Sequence, residues 1–357
     1  MELVINDRIR NRKIDFFNDF TLSLAYDSLA GSFGFNFYND PDNPEHKELL
    51  CIGHYHICKV THNGEDLLTG NMLSQGFISS SERKMVTISG YSLPGVLEDC
   101  EIPPKIYPLQ SDNLSLKQIA QKIIAPFGLK MVVDSSVESA MNSSFKKSTA
   151  KENQNAKSYL SELASQKNIV LSHTPRGELW FTKAKTKQKP ILDFDLSKGT
   201  IPGTEFTLQF DGQAMHSHIT VQKQADSDGG NAGEYTIRNP YVIGSVYRPK
   251  VMSQSSGTDN DSEKAAKTAL ASELKNLKLT IKTDRWIVDG KIIKPNNLIT
   301  VINPEIYAFK KQTWFIESID FVGNNKETTA TLNCVLPEVY NMQTPEYFYK
   351  GINLHWI

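Results

Sequence analysis

The sequence predicts a mainly β protein interrupted by a small α+β domain, and three observations carry that expectation. Short runs of β-branched and aromatic residues, punctuated by Asn63-Gly64, Asp289-Gly290 and Pro295-Asn296, recur toward both ends of the chain. Between residues 101 and 189 the apolar spacing changes from two to three and four, the period of an amphipathic helix. At 357 residues the chain exceeds one ordinary domain. The expected boundaries are a β module at 1–100, an α+β insert at 101–189, a second β module with one helix at 190–339, and an aromatic tail at 340–357.

In the first module, strands are expected at 3–5, 21–24, 32–37, 55–61 and 84–89, with a loop at 39–44. Asn63-Gly64 between Val60 and Leu67 is a hairpin signal, because both turn residues tolerate positive φ. The result is a small barrel or sandwich.

The insert opens a helix at Ser115, where Ser115-x-x-Gln118 forms a capping box and Leu114 and Ile119 a hydrophobic staple. Leu116, Ile119, Ala120, Ile123, Ile124 and Phe127 then make one apolar stripe, which Pro126 and Gly128 end. A second helix follows at 155–167, then strands at 169–172 and 178–182 around Pro175-Arg176-Gly177.

The third module begins with strands at 205–210 and 217–222, a flexible loop at 226–233 and a serine-rich linker at 253–262. Asp261 then caps a helix bearing Ala265, Ala269, Leu270, Leu274 and Leu277. Residues 281–338 are an antiparallel β unit. In it Trp314, Ile316 and Ser318 face one way and Phe315, Glu317 and Ile319 the other, so the strand needs cover on both sides.

Mean hydropathy is -0.37 and the hydrophobic fraction 39%, values of a chain with much polar surface. No apolar run approaches a membrane span, and no export signal precedes Asp7. Cys51, Cys58, Cys100 and Cys334 form no Cys-x-x-Cys pair and suit reduced thiols in a cytoplasm. The net charge of -1 lacks the footprint of a nucleic-acid binder. Two basic runs, Arg8/Arg10/Arg12 and Lys183/Lys185/Lys187/Lys189, read as solvated or edge-guarding faces, with a phosphate-facing patch as the alternative.

Catalytic signatures are missing: no Gly-x-Ser-x-Gly, His-Glu-x-x-His, Walker or Gly-x-Gly-x-x-Gly segment occurs. Glu98/Asp99 and Asp193/Asp195 are the carboxylate pairs a glycosidase could use, although surface ion pairing is their commoner fate. Cys51, His54, His56, Cys58 and His62 have zinc-ligand chemistry, but one strand rarely supplies three ligands. Asp226-x-Asp228-x-Gly230 starts like a calcium loop and has Ile237, not Glu, at its twelfth position. No cofactor, metal or enzymatic activity is expected.

Several segments resemble the baseplate hub proteins of contractile-tailed, Mu-like phages, the 43 kDa tail protein or late control protein D family. They are Ser28-Leu-Ala-Gly31-Ser-Phe33, Gly90-Tyr-Ser92 with Leu97-Glu-Asp-Cys100, Ala125-Pro-Phe-Gly128 and Gly177-Glu-Leu-Trp-Phe181. Tyr247-Arg-Pro249, and the series Trp286, Gly290, Pro295-Asn296, Ile319-Asp-Phe321 and Leu336-Pro-Glu338, complete it. Tyr91 stands where many relatives carry Arg. The resemblance reaches nearly to Val339.

This resemblance implies two β-barrel-like modules flanking the insert, assembled as a ring-shaped homotrimer. Six similar units would let a threefold central spike protein join a sixfold tail tube protein, among other baseplate proteins, with DNA only in transit through the lumen. It also implies host cytoplasm during assembly, then the virion tail baseplate. Arg8, Arg10 and Arg12 are the candidate lumen-facing residues, and Tyr340, Tyr347, Phe348, Tyr349 and Trp356 the candidate interface, docking on the chain itself or on a neighbour. The alternatives are a hub-borne cell-wall hydrolase, which would use a pair such as Glu98/Asp99, and the hub half of a type VI secretion spike. A needle following residue 357 would be expected of the latter.

Overall fold

The computed structural model describes residues 1–6, 11–14, 16–107, 110–146, 148–151, 153–197, 199–223, 234–244, 246–254, 260–324 and 326–352. The chain divides into two compact units. One comprises Met1–Lys183 with Ile319–Ala330, the other Ala184–Ser318 with Thr331–Ile357.

In the first unit, antiparallel ladders run in the order Asn11–Ile14, Glu2–Asn6, Ile57–His62, Glu65–Ser79, Lys84–Ser92, Ser32–Tyr38 and Asp19–Ala25. Ser23 Oγ then donates to Asp320 at 2.5 Å. Period-two alternation sets the core: Phe20, Leu22 and Leu24 point inward from one strand and Phe33, Phe35 and Phe37 from its neighbour. Phe17, Phe20 and Phe35 meet with ring centroids 5.3–5.9 Å apart.

The insert in this unit follows the predicted caps. Helix Leu116–Ile124 carries the full capping box, with Ser115 and Gln118 bonded reciprocally, and Gly128 ends the following turn at φ 67°. Helix Ala156–Gln166 is capped by Asn155. Both bury their apolar stripes against the small sheet Met131–Val133, Leu179–Thr182 and Val170–His173. The strand at 131–133 and the short helix Glu138–Asn142 were not expected from the pattern.

In the second unit, Thr204–Phe210 pairs with Leu277–Thr283. Leu298–Asn303 bonds antiparallel to Ala308–Gly323 and parallel to Leu192–Asp195. A separate three-stranded sheet holds Glu234–Arg238, His218–Lys223 and Pro249–Gln254. Helix Asn260–Leu274 turns Ala266, Ala269, Leu270 and Leu274 inward. Trp314, Phe315, Ile316 and Ile319 are all buried, so the strand bearing them is covered on both faces as its sequence requires. The loop at 226–233 and the Asp261 side chain lie outside the description.

The expectation of barrel-like modules needs correction, because no closed barrel forms among the described residues. Closure requires the first and last strands of a sheet to pair. Here Asn11–Ile14 and Thr204–Phe210 each have a single strand neighbour, and the second unit divides its strands among separate sheets.

Ser115→Ala removes the acceptor that holds the Gln118 amide. It should lower unfolding stability by about 1 kcal/mol, read as a lower urea midpoint with an unchanged denaturant slope.

Candidate functional site: the motif junction and the aromatic band

Motifs far apart in sequence converge in the first unit. Ser92 donates from its amide to Gly31 O at 2.7 Å and from its hydroxyl to Leu29 O. Gly90 is required by close approach: a Cβ there would stand 1.8 Å from Asn71 O. Tyr91 Oη donates to the Asp99 carboxylate, and burial with that bond holds its phenol well above the usual range. Tyr91, at the position where Arg is frequent in the resembling family, thus serves as a partner for Asp99.

The insert seats on this clasp. Glu98 accepts from Leu29 N at 3.2 Å and pairs with Lys157 at 2.8 Å, while Asn155 Nδ2 donates to Glu98 O. His173, 8% exposed, packs so closely that a Cβ on Gly31 would lie 2.3 Å from its Nε2. Burial holds its imidazole below the ordinary histidine value, opposed by the Thr174 carbonyl and the charge of Glu98. A neighbouring groove of about 500 Å³ is lined by Gly64, Asp66, Thr174, Pro175, Arg176 and Glu178.

The carboxylate pairs are thus engaged in structure. Glu98 and Asp99 hold the clasp, and Asp193 accepts from Thr300 Oγ1 and Lys311 Nζ, each at 2.6 Å. The Lys311 bond, aided by Thr300, keeps that carboxyl below the usual range. Asp195 caps Ser197.

Among the described residues no group of three His, Cys, Asp or Glu side chains could hold a metal ion. Cys51 is exposed while Cys58 is buried, its thiol pushed up to about 12 by burial, so the two cannot act as paired thiolates. His54 and His56 place their rings 5.4 Å apart, edge to face.

The aromatic tail packs within the second unit. Phe348, 6% exposed, meets Trp314 at 5.6 Å and Tyr241 at 5.3 Å. Tyr347 and Tyr349 are half-buried and continue the band toward Phe309, and Tyr307, 66% exposed, ends it. Tyr340 packs against Phe315 with ring centroids 4.8 Å apart and tilted by 48°, donates to Glu317 at 2.6 Å and lies under Lys275. Sequence reading missed Tyr241 and Trp314 as partners of this tail, because neither is a sequence neighbour of it and neither shares a periodic pattern with it. Trp356, Arg8 and Arg10 lie outside the described residues. Arg12 is 8% exposed and donates to Glu45 O at 3.1 Å and to the Glu48 carboxylate.

The first unit is thus a β-rich fold whose convergent motifs hold a small α+β insert in place. Residues 94–183 match the family model described as "Baseplate hub protein gp44-like, second domain". No curated protein matches the sequence. Among solved structures, the 43 kDa tail protein of prophage MuSo2 from Shewanella oneidensis has a TM-score of 0.78 at 20% identity, covering 95% of this chain and 99% of that one. The tail protein from Neisseria meningitidis MC58 gives 0.77 at 18%, covering 96% and 98%. The E. coli c3393 protein, described as a component of the type VI secretion system resembling the T4 tail proteins gp27 and gp5, gives 0.55 at 10%, covering 97% and 80%. Residues 94–183 are therefore similar to a baseplate-hub second domain, within a fold like that of the two prophage and tail proteins and of the type VI secretion component.

Gly31→Ala should destabilise the first unit by about 1–3 kcal/mol through overpacking against His173, seen as a lower denaturation midpoint. The depressed His173 value means that the unfolded chain takes up its proton at higher pH than the folded one. The stability so conferred is complete above about pH 6.5 and is lost as pH falls toward the folded value. Thermal scans should show Tm dropping below about pH 6.5, with a shallower drop in His173→Gln.

Proposed function

We propose that the chain is a structural baseplate hub, a homotrimeric adaptor that joins a hexameric tail tube to a trimeric central spike and leaves a lumen through which DNA passes. The observation that carries the proposal is the match of residues 94–183 to a baseplate-hub domain, set in a fold that agrees with the MuSo2 tail protein over 95% of this chain. Function then lies in surfaces, consistent with carboxylates committed to the clasp and to Lys311.

In this reading the chain has three modules, 1–100, 101–189 and 190–339, with the tail at 340–357. Tyr347 and Tyr349, at the half-buried rim of the aromatic band, contribute to contacts between subunits or with the spike, together with Tyr340, Phe348 and Trp356. Arg8 and Arg10 lie toward the lumen, whereas Arg12, read from the sequence as a third such residue, is buried in its bonds to Glu45 and Glu48. The near-zero net charge of -1 suits a channel that must not retain DNA. Assembly takes place in the host cytoplasm before incorporation into the virion tail.

A second reading, the hub part of a type VI secretion spike, draws on the fold likeness to the E. coli c3393 protein. Capture experiments separate the two, since a phage hub retains tail-tube and spike proteins encoded beside it and a secretion hub retains an effector-bearing spike.

Light scattering on the purified chain should give about 120 kDa, three copies of 40.1 kDa. A single-copy mass at every concentration, and unchanged on adding the spike protein, would contradict the adaptor.

A further inference from the structure

The groove beside the insert takes no part in the clasp. It lies within the first unit, where the turn at Asn63-Gly64 meets the turn at Pro175-Arg176-Gly177, and its volume of about 500 Å³ is lined by Gly64, Asp66, Thr174, Pro175, Arg176 and Glu178. Hydrogen bonds and close packing fix its walls. Thr69 Oγ1 donates to Pro175 O at 2.8 Å, and the Gly177 amide donates to Thr174 O at 2.9 Å. Gly177 has φ 76°, and a Cβ there would stand 2.9 Å from Thr69 O, so the second turn sits directly on the strand that leaves the first. A recess built this way needs no rearrangement to receive a ligand.

The charges in the groove set its chemistry. Asp66 and Glu178 are half-buried; among the described residues Glu178 accepts from Thr174 Oγ1 at 2.9 Å, and neither carboxylate meets a cation. By contrast Glu2 and Glu98, half-buried in the same unit, are neutralised by Lys13 at 3.0 Å and Lys157 at 2.8 Å. Asp66 and Glu178 against the exposed Arg176 leave one negative charge of the lining unbalanced.

The complementary occupant is a cation. A metal ion lacks a ligand set, since among the described residues no group of three His, Cys, Asp or Glu side chains could hold one. The volume suits a long side chain together with the backbone on either side of it. Arg176 discriminates among organic cations: its guanidinium repels a bare polyamine, but it can donate to the backbone carbonyls that accompany a lysine or arginine in a protein.

We propose that this groove is a docking site for a partner protein's basic side chain, a lysine or arginine on an exposed segment, with Asp66 and Glu178 as its counter-charges and Arg176 as the donor to the segment's backbone. The assignment is independent of how many copies of the chain assemble, so its failure would leave the hub reading untouched.

The test is an amide chemical-shift titration of the full-length chain with acetyl-Gly-Lys-Gly-amide and its arginine counterpart. Saturable shifts should appear at Gly64, Asp66 and residues 176–178, and fade as salt is raised. The norleucine peptide should give none. D66N and E178Q, which keep the side-chain shape, should each weaken binding by about tenfold, and their unperturbed spectra elsewhere show that the fold is kept. Wild type should prefer the lysine peptide over spermidine, and R176A should lose that preference. The proposal is overturned if no basic peptide gives a saturable shift, if norleucine serves as well as lysine, or if D66N and E178Q bind like wild type. Spermidine bound by wild type as tightly as the peptide would overturn the protein segment as the occupant.

Discussion

The first unit depends on a place where a side chain must be absent. Gly31 lets the His173 ring close against the first module's backbone, and Ser92 ties Gly31 and Leu29 to the strand that ends beside the insert. Glu98 and Asn155 fasten the same junction from the insert's two helical segments. Close packing of this kind is intolerant of added volume and leaves a titratable ring without solvent. It fixes one geometry for a domain with its own separate core.

The same contacts explain why motif residues that could have been catalytic serve structure. Glu98 and Asp99 stand next to each other on a four-residue helix, yet their side chains serve different partners, Leu29 with Lys157 and Tyr91. These carboxylates are committed to contacts within the fold, and the chain's exposed features include the end of an aromatic band at Tyr307.

Local signals in the sequence were legible where the physics is local. The capping box at Ser115, the stop at Gly128 and the two-sided strand around Trp314 follow from neighbours within a few residues. Strand Glu65–Ser79 was missed because Thr69-Gly70 and Gln75-Gly76 break its apolar alternation, yet Ile57–His62 pairs with its first half and Lys84–Ser92 with its second. Helix Pro44–Leu49 hid in what reads as a Pro-rich loop, with Asn43 as its cap. Barrel closure was over-read because strand content is local and the pairing of terminal strands is not. The aromatic tail shows no periodicity, since its partners Trp314 and Tyr241 are supplied by distant strand and loop segments.

In the proposed hub role the chain forms a ring of three copies. Electron-microscopy class averages of the purified chain test this most directly. Threefold particles with an open centre are the expected result. Averages showing single compact particles of one chain, or twofold pairs, would contradict it.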